Sequence, residues 1–194
     1  MEFHARPPAR GCLPYNVGPL NLAIFADFQH GVFTPETLPQ WRAATQTVLT
    51  AADSQTTDIA WGNILDFAGC TLLFANEREV RFAMRDTHRT LESVAEALWY
   101  RVENAGTTAL FVKLGARGLS IYHAGPTYHL PAQAHHPIVD PIGAGDALLA
   151  YAAMAYAVTP DLVAAGELGS RAAAIECAQE GNVPITVRMM LESP

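Results

Sequence analysis

The sequence is poor in cysteine and in basic residues, and it has no long hydrophobic run. Its three cysteines, Cys12, Cys70 and Cys177, are widely spaced and form no Cys-x-x-Cys pair, which argues against a disulfide framework and a zinc knuckle. Small apolar side chains in a reducing compartment are the simpler interpretation. Twelve lysines and arginines against nineteen aspartates and glutamates give a net charge of -7. That balance argues against nucleic acid or a membrane surface as the main partner.

No segment is typical of export or of a membrane span. Residues 1–19 contain four prolines and two glycines but no apolar signal core, so we expect an irregular segment ahead of a domain at residues 20–194. The longest apolar stretch, Ala147–Val158, is too short to cross a bilayer. With 50% hydrophobic and 16% charged residues, the chain is expected to be a cytoplasmic globular domain, or most of a larger one.

The first third of the chain predicts a strand, a helix and a loop. Apolar Leu22–Phe25 leads to Asp27, which is typical of a buried strand that ends in a polar residue. Thr34 is expected to cap the next helix, with Pro35 at its first position. Residues 51–69 begin as a polar loop.

The rest of the chain alternates between the two kinds of element. Strands are predicted in CTLLFAN, TALFVKLG, GLSIYH and TYHLPAQ, and helices in EREVRFAM and TLESVAEALWYRVENAG. An almost wholly apolar helix follows, and then a last helix capped by Thr159 with Pro160 first. Gly166 and Gly169 leave open whether that last segment is one helix or two. This alternation predicts an α/β domain with a mostly parallel sheet, in which ligands bind at the carboxyl ends of strands.

Two carboxylates, Asp140 and Asp146, flank the glycines that precede the apolar helix. The small residues of GAGD, at positions 143–146, leave backbone N–H groups bare at a helix N-terminus, where they suit anionic phosphate oxygens. A plain turn with Asp146 as the helix cap is the alternative. A single glycine-rich loop does not decide between them.

Four stretches, in order along residues 20–190, carry a resemblance to a known family. They are ADFQHGVFTPETL, LLFANEREVRFA, LFVKLGARGLSIY and DPIGAGDALLA. They resemble the strand-to-helix segment, the Asn-x-x-Glu motif, the Gly-x-x-Gly turn and the C-terminal signature of the ribokinase/phosphofructokinase-B (PfkB) family of carbohydrate kinases. The style is closest to the branch that includes heptose-phosphate kinases. The resemblance implies a three-layer α/β/α ribokinase-like fold.

The resemblance also implies roles for the matched positions. Asp146 would be the base that takes a proton from a sugar hydroxyl as its oxygen attacks the γ-phosphate of ATP. The backbone of Gly143, Ala144 and Gly145 would form the anion hole. The other implied roles are Mg²⁺ binding through water by Asn76 and Glu79, a monovalent cation such as K⁺ near Asp140, nucleotide contacts at Lys113, Gly115 and Gly118, and an adenine border at Ala173, Cys177, Gly181 and Asn182.

Plainer interpretations stay open for several of these residues. Glu79 could be a solvated residue in the first turn of a helix. Gly115 and Gly118 could form only a hairpin turn, and Ala173 and Cys177 lie one turn apart, as core residues of a helix do.

Two carboxylates and two histidines are the remaining polar candidates. Asp27 at its strand end and Asp53 in its loop stay open. The adjacent His135 and His136 point in different directions, so no metal cluster is expected there.

The chain also departs from the family pattern. Family members are longer, and their opening region supplies the start of the sheet, sugar-binding glycines and a β lid, none of which is visible here. The resemblance therefore implies that residues 20–194 are the C-terminal, nucleotide-binding portion of a ribokinase-like domain. In the strand-to-helix segment ADFQHGVFTPETL, Gln29 and His30 replace a lysine of the family pattern. Gln55 ends the segment Asp53-Ser54-Gln55, where the family pattern is Asp-Pro-Lys. A parallel sheet without its first strands exposes an edge, which a second copy or residues 1–19 would cover, and we expect homodimerisation or other self-association. Two hypotheses follow: an ATP-dependent sugar kinase, or a truncated, catalytically incompetent relative that binds nucleotide or dimerises.

Overall fold

A six-stranded sheet, in which the strand order follows the chain order, forms the centre of the protein. The computed structural model describes residues 20–56, 63–133, 137–181 and 183–192. The strands are β1 (Leu22–Asp27), β2 (Leu49–Ser54), β3 (Leu72–Asn76), β4 (Ala109–Lys113), β5 (Leu119–His123) and β6 (Tyr128–Leu130). Strands β1 to β4 are parallel, and β5 and β6 each run antiparallel to the preceding strand. The predicted mostly parallel α/β sheet is confirmed.

Helices cover both faces of this sheet. They are α1 (Leu38–Thr45), α2 (Glu77–Met84), α3 (Leu91–Glu103), α4 (Ala144–Val158), α5 (Leu162–Cys177) and α6 (Val187–Glu192). Helices α1, α2 and α3 pack on one face with Phe67 and Leu98 in their core. Helices α4 and α5 pack on the other around Leu149. None of the helices in the described ranges is long and apolar enough to cross a membrane.

The prediction of a loop from residue 51 is wrong, because β2 includes residues 51–54 and lies between β1 and β3. Its last four residues, Ala51 to Ser54, are buried. Their small side chains leave room for helices on both faces, but they lack the β-branched and aromatic residues that usually mark a strand. Pairing on both sides therefore determines this strand. The same pairing places Asp53 near a strand's carboxyl end.

Helix α1 begins later than predicted. Thr37 occupies the N-cap, and Pro39 is the second residue, where its missing N–H is not needed. The carbonyl oxygen of Thr34 instead accepts the N–H groups of Thr37 and Leu38, at 3.1 and 2.9 Å. Thr34 thus belongs to a turn before the helix, and Pro35 is not helical.

The cap predicted for the last long helix is also wrong. Asp161 caps α5, and its carboxylate accepts the N–H groups of Val163 and Ala164 at 2.9 and 3.0 Å. Thr159 ends α4, and Pro160 lies between the two helices. An aspartate two residues beyond the expected threonine satisfies two backbone donors.

Gly166 and Gly169 do not divide α5, which is one helix of sixteen residues. A Cβ atom placed on Gly169 would lie 2.8 Å from the carbonyl oxygen of Leu148 in α4. On Gly166 it would lie 2.6 Å from the Leu130 side chain. The two glycines therefore permit the close packing of α5 against α4 and the sheet.

Candidate active site

Polar side chains gather where the parallel strands end. Because β1 to β4 run in the same direction, their carboxyl ends meet at one edge of the sheet. Asp27 pairs in register with Ser54, and Asn76 with Lys113. Asp53 lies one position before the end of β2. The edge therefore collects two carboxylates, an amide and an ammonium group from four separate stretches of sequence.

A cavity of ≈ 260 Å³ lies between this edge and the start of α4. Its lining residues are Asp53, Gln55, Thr56, Asn76, Arg78, Glu79, Lys113, Gly143, Gly145 and Asp146. Six of them have roles implied by the family resemblance, namely Asn76, Glu79, Lys113, Gly143, Gly145 and Asp146, while the sequence leaves Asp53 open. The fold thus brings the proposed base, anion hole and metal ligands to one place.

The first turn of α4 closes one side of the cavity. Gly143 is the N-cap, with φ of +85° in the left-handed region that favours glycine. Ala144, Gly145 and Asp146 are the first helical residues, whose N–H groups have no acceptor within an α-helix. The helix makes no side-chain capping bond, so the cap interpretation of Asp146 is wrong. The Ala144 N–H donates to the Pro141 carbonyl oxygen at 3.4 Å, which leaves the N–H groups of Gly145 and Asp146, with the helix dipole, to favour an anion here.

The Asp146 carboxylate is partly buried at the cavity wall. Burial raises its pKa above the ordinary value for aspartate, and the negative charge of Asp53 raises it further. The ammonium group of Lys113 acts in the opposite direction. A carboxylate whose pKa is raised binds a proton more readily, which suits a general base.

The Asn-x-x-Glu stretch forms the start of α2. The Asn76 side chain accepts the Glu79 N–H at 2.9 Å, and the Glu79 carboxylate accepts the Asn76 N–H at 2.6 Å. This reciprocal capping box explains the spacing of the two residues. Glu79 is only 3% exposed, so its interpretation as a solvated surface residue is wrong. Burial raises the pKa of Glu79, while nearby Lys113 lowers it.

Lys113 joins the two buried carboxylates. Its Nζ hydrogen-bonds to the Asp53 carboxylate and lies 3.7 Å from Oε2 of Glu79. Burial disfavours the charged ammonium, but the Asp53 and Glu79 carboxylates together hold the pKa of Lys113 above its ordinary value. It is the only lysine of the 194 residues. Although Gln29, His30 and Gln55 replace the lysines of the family pattern, the cavity is lined by two cationic side chains, Lys113 and Arg78.

The donor set fits Mg²⁺. Oδ1 of Asp53 is buried and has no hydrogen-bond partner among the described residues, which is costly unless a ligand satisfies it. Within the same residues, no group of three or more His, Cys, Asp or Glu side chains is placed to hold a metal alone. A hard cation that keeps waters and phosphate oxygens as ligands suits such a partial set of carboxylates.

Comparison with known proteins decides the family. The family model described as "pfkB family carbohydrate kinase" matches residues 32–186. The chain belongs to this family. The family named from the four sequence motifs is therefore confirmed.

Individual relatives agree with this assignment. The bifunctional protein HldE of Pelobacter propionicus is 28% identical over 169 residues, which cover 86% of this chain and 33% of that protein. The same-named protein of Geobacter sulfurreducens is 27% identical over an equal length. The chain thus spans about a third of the length of the curated relatives it matches.

A solved structure gives the fold. The ribokinase of Arabidopsis thaliana, complexed with ribose and ATP, superimposes with a TM-score of 0.68 at 19% sequence identity. The match covers 84% of this chain and 51% of that one. The predicted ribokinase-like fold is confirmed by this likeness.

Two glycines predicted at the nucleotide of this pfkB-family chain lie outside the cavity lining. Gly115 and Gly118 form the connection between antiparallel β4 and β5. A Cβ on Gly118 would lie 2.0 Å from the carbonyl oxygen of Leu130, so the backbone of β6 already requires glycine there. The hairpin interpretation thus accounts for their positions, and their contact with a nucleotide stays a prediction.

The residues predicted at the adenine and at a monovalent cation are also outside the lining. The Cys177 carbonyl oxygen accepts the N–H groups of Val139 and Asp140, at 2.7 and 3.2 Å, which fixes this loop against the end of α5. Asp140 accepts the Ile142 N–H at 2.9 Å. Ala173 lies in α5 and Gly181 beyond its end. Asn182, Cys12, His135 and His136 lie outside the described residues.

Asp27 belongs to a neighbouring polar cluster. Its carboxylate accepts the Gln29 N–H at 2.9 Å and the Ser54 hydroxyl at 3.0 Å. Burial raises the pKa of Asp27. Gln29 holds a left-handed φ of +59°, and its side-chain amide donates to Asp27 at 2.6 Å. The family's lysine is thus replaced here by an uncharged Gln29, whose backbone and side-chain amides both hydrogen-bond to Asp27.

Proposed function

We propose that this chain transfers the γ-phosphoryl group of ATP to a hydroxyl group of a sugar or sugar phosphate in the cytoplasm. One observation carries the proposal: the Asp146 carboxylate shares a cavity with the first turn of α4 and with the cation Lys113. Membership of a carbohydrate kinase family supports the choice of reaction. The resemblance to heptose-phosphate kinases makes a heptose phosphate the first acceptor to test.

The proposed mechanism assigns each side of the cavity a role. Asp146 accepts the proton of the sugar hydroxyl while that oxygen attacks the γ-phosphorus, and the bond to the bridging oxygen of ADP breaks. The N–H groups of Gly145 and Asp146, with the dipole of α4, stabilise the charge on the transferring oxygens. Positioning and charge neutralisation supply most of the rate enhancement in such a transfer.

Asn76, Glu79 and Asp53 are the residues that would hold Mg²⁺ through water. The ion, when bound, neutralises charge on the β- and γ-phosphates. Asp53 joins the set because it lines the same cavity and one of its carboxylate oxygens has no hydrogen-bond partner among the described residues. A K⁺ ion near Asp140 remains part of the proposal, because the loop that carries Asp140 leads directly into the anion hole.

A second candidate is nucleotide binding without transfer. It is favoured by the uncharged Gln29, which is held in a hydrogen-bond cluster with Asp27. On this hypothesis, the cavity binds ATP–Mg²⁺ but no acceptor sugar is phosphorylated.

Two measurements separate the candidates. Sugar-stimulated ADP release is measured over a panel of heptose phosphates, ribose and fructose phosphate, with Asp146→Asn as the matched variant. Turnover that vanishes in the variant supports the kinase, and equal turnover in both contradicts the role of Asp146. Calorimetry with ATP–Mg²⁺ then distinguishes the second candidate, for which binding occurs without any turnover. The absence of binding would remove the nucleotide from both proposals.

Self-association completes the proposal. Among the described residues, β1 is hydrogen-bonded only to β2, and Leu20, Ile24 and Phe28 near it are 38–41% exposed. An unpaired apolar strand edge invites a second chain.

A further inference from the structure

The ammonium group of Lys113 lies where the proposed metal would be needed. It hydrogen-bonds to one oxygen of Asp53, while the other oxygen of that carboxylate has no partner among the described residues. Glu79 lies 3.7 Å away. A Cβ on Gly145 would be 3.5 Å from the same nitrogen, so the ammonium is also next to the first turn of α4. One cation therefore contacts the carboxylates and borders the anion hole.

The charges around Lys113 do not balance. Three carboxylates, Asp53, Glu79 and Asp146, line the cavity with two cations, Lys113 and Arg78, and the Asp53 and Glu79 side chains are each 4% exposed. Carboxylates in such a setting repel one another unless cations separate them. Lys113 is therefore the group that allows these carboxylates to be adjacent before any ligand arrives.

We propose that Lys113 is a placeholder cation, which occupies Asp53 and Glu79 until Mg²⁺ and a nucleotide take its place. The ammonium then turns to the phosphate oxygens at the start of α4. Its flexible four-carbon chain allows this change of partner. The nucleotide part of this inference rests on the proposed function, whereas the competition between ammonium and metal does not.

Coupled binding is the consequence. Free metal must displace an ammonium group from its two carboxylates, so it binds weakly alone. A nucleotide offers that ammonium new anionic partners, so metal and nucleotide each strengthen the binding of the other by the same factor. Without Lys113, the carboxylates bind free metal well and the coupling is lost.

The first test measures free Mn²⁺, as a spectroscopic probe for Mg²⁺, by electron paramagnetic resonance without nucleotide. Lys113→Met is expected to bind Mn²⁺ about tenfold more tightly than the wild type. Arg117→Met is the control, because Arg117 is exposed and pairs with Glu77 outside the cavity, and its affinity should stay within about twofold. Equal or weaker binding by Lys113→Met overturns the proposal.

A second pair of variants guards against misfolding. If Lys113→Met is insoluble, Asp53→Asn/Lys113→Met keeps the net charge of the cavity and is compared with Asp53→Asn alone. The double variant should again bind Mn²⁺ about tenfold more tightly. No gain over Asp53→Asn overturns the placeholder role.

The wild-type protein supplies a third test. Because the chain has one lysine, labelling with ¹³C-lysine gives a single side-chain Cε signal. We expect Mg²⁺ with a non-hydrolysable ATP analogue to shift this signal far more than Mg²⁺ alone. An unmoved signal in a complex that calorimetry shows to form overturns the proposal. If calorimetry detects no complex, the proposed function fails, and the Mn²⁺ comparison still decides the placeholder role.

Discussion

At the residue scale, the Asp146 carboxylate should lower the stability of the folded protein while it is required for catalysis. Folding raises its pKa through burial, so the ionised form is disfavoured in the folded state and the protein gains stability as pH falls through that pKa. We expect Asp146→Asn to lower kcat by about 10²–10⁴-fold while its melting temperature at pH 7 equals or exceeds that of the wild type. Kinetics and thermal denaturation test both halves.

Asp86 is the control with the opposite sign. Its carboxylate accepts the His88 and Arg89 N–H groups at 2.9 and 3.0 Å, and these bonds with the Arg89 side chain hold the pKa of Asp86 well below its usual range. The stability it supplies is present above the unfolded-state pKa and lost as pH falls. Asp86→Asn should therefore lower the melting temperature at pH 7. The same direction of change in both variants would contradict the argument.

The acid limb of activity should reveal the same pKa. Because burial and then Asp53 raise the pKa of Asp146, kcat/KM should begin to fall at a higher pH than for an ordinary aspartate. In Asp53→Asn, measured at saturating Mg²⁺, one raising charge is gone and the limb should move to lower pH. If the acid limb of Asp53→Asn lies at the same pH as that of the wild type, Asp146 is not the group that titrates there.

At the element scale, the contact between α4 and α5 depends on glycine. Gly169→Ala should destabilise the protein by about 1–3 kcal/mol through overpacking, because the new Cβ meets the Leu148 carbonyl oxygen at 2.8 Å. That loss outweighs the gain of about 1 kcal/mol in helix propensity. Urea denaturation measures it. Leu168→Ala, at a 41% exposed position of the same helix, is the control and should change stability by less than about 0.5 kcal/mol.

The elements that could be predicted were those whose own sequence carries a hydrophobic period or a turn signal. Helices α2 and α3 and the pair β4 and β5 were of this kind. Strand β2 was not, because small residues such as Ala51 and Ala52 show no periodicity and become a strand only through neighbours on both sides. The start of α5 was misplaced because Thr159, a good cap by type, is followed two residues later by a better-placed Asp161.

The same limit applies to the site. Motif order predicted Asn76, Glu79 and Asp146, since each lies in a stretch with its own pattern. It left Asp53 undecided, because the ion pair of Asp53 with Lys113 joins residues 60 apart in the sequence. Such a pair forms only when two parallel strands end at the same edge, which no local spacing reports.

At the scale of the whole molecule, β1 predicts a dimer, because it pairs only with β2 among the described residues. The strand LAIFAD carries no lysine, no proline and no charge before its buried last residue, so it lacks the features that protect natural edge strands from pairing. Ile24 is 38% exposed and lies on the same face of β1 as Leu22, which packs against the core of α4 and α5. A second copy aligned along β1 would hydrogen-bond to the edge that has no partner within the described ranges, and it would lie beside this side chain.

Light scattering at micromolar concentration tests the dimer. The wild type should have twice the mass of the chain, and Ile24→Lys should be monomeric, because a lysine on a strand edge disfavours pairing with another strand. Tyr100→Lys is the control, since Tyr100 is 56% exposed on α3, away from β1, and this variant should remain dimeric. A monomeric wild type would contradict the prediction. A dimeric Ile24→Lys would mean that the dimer interface does not include β1.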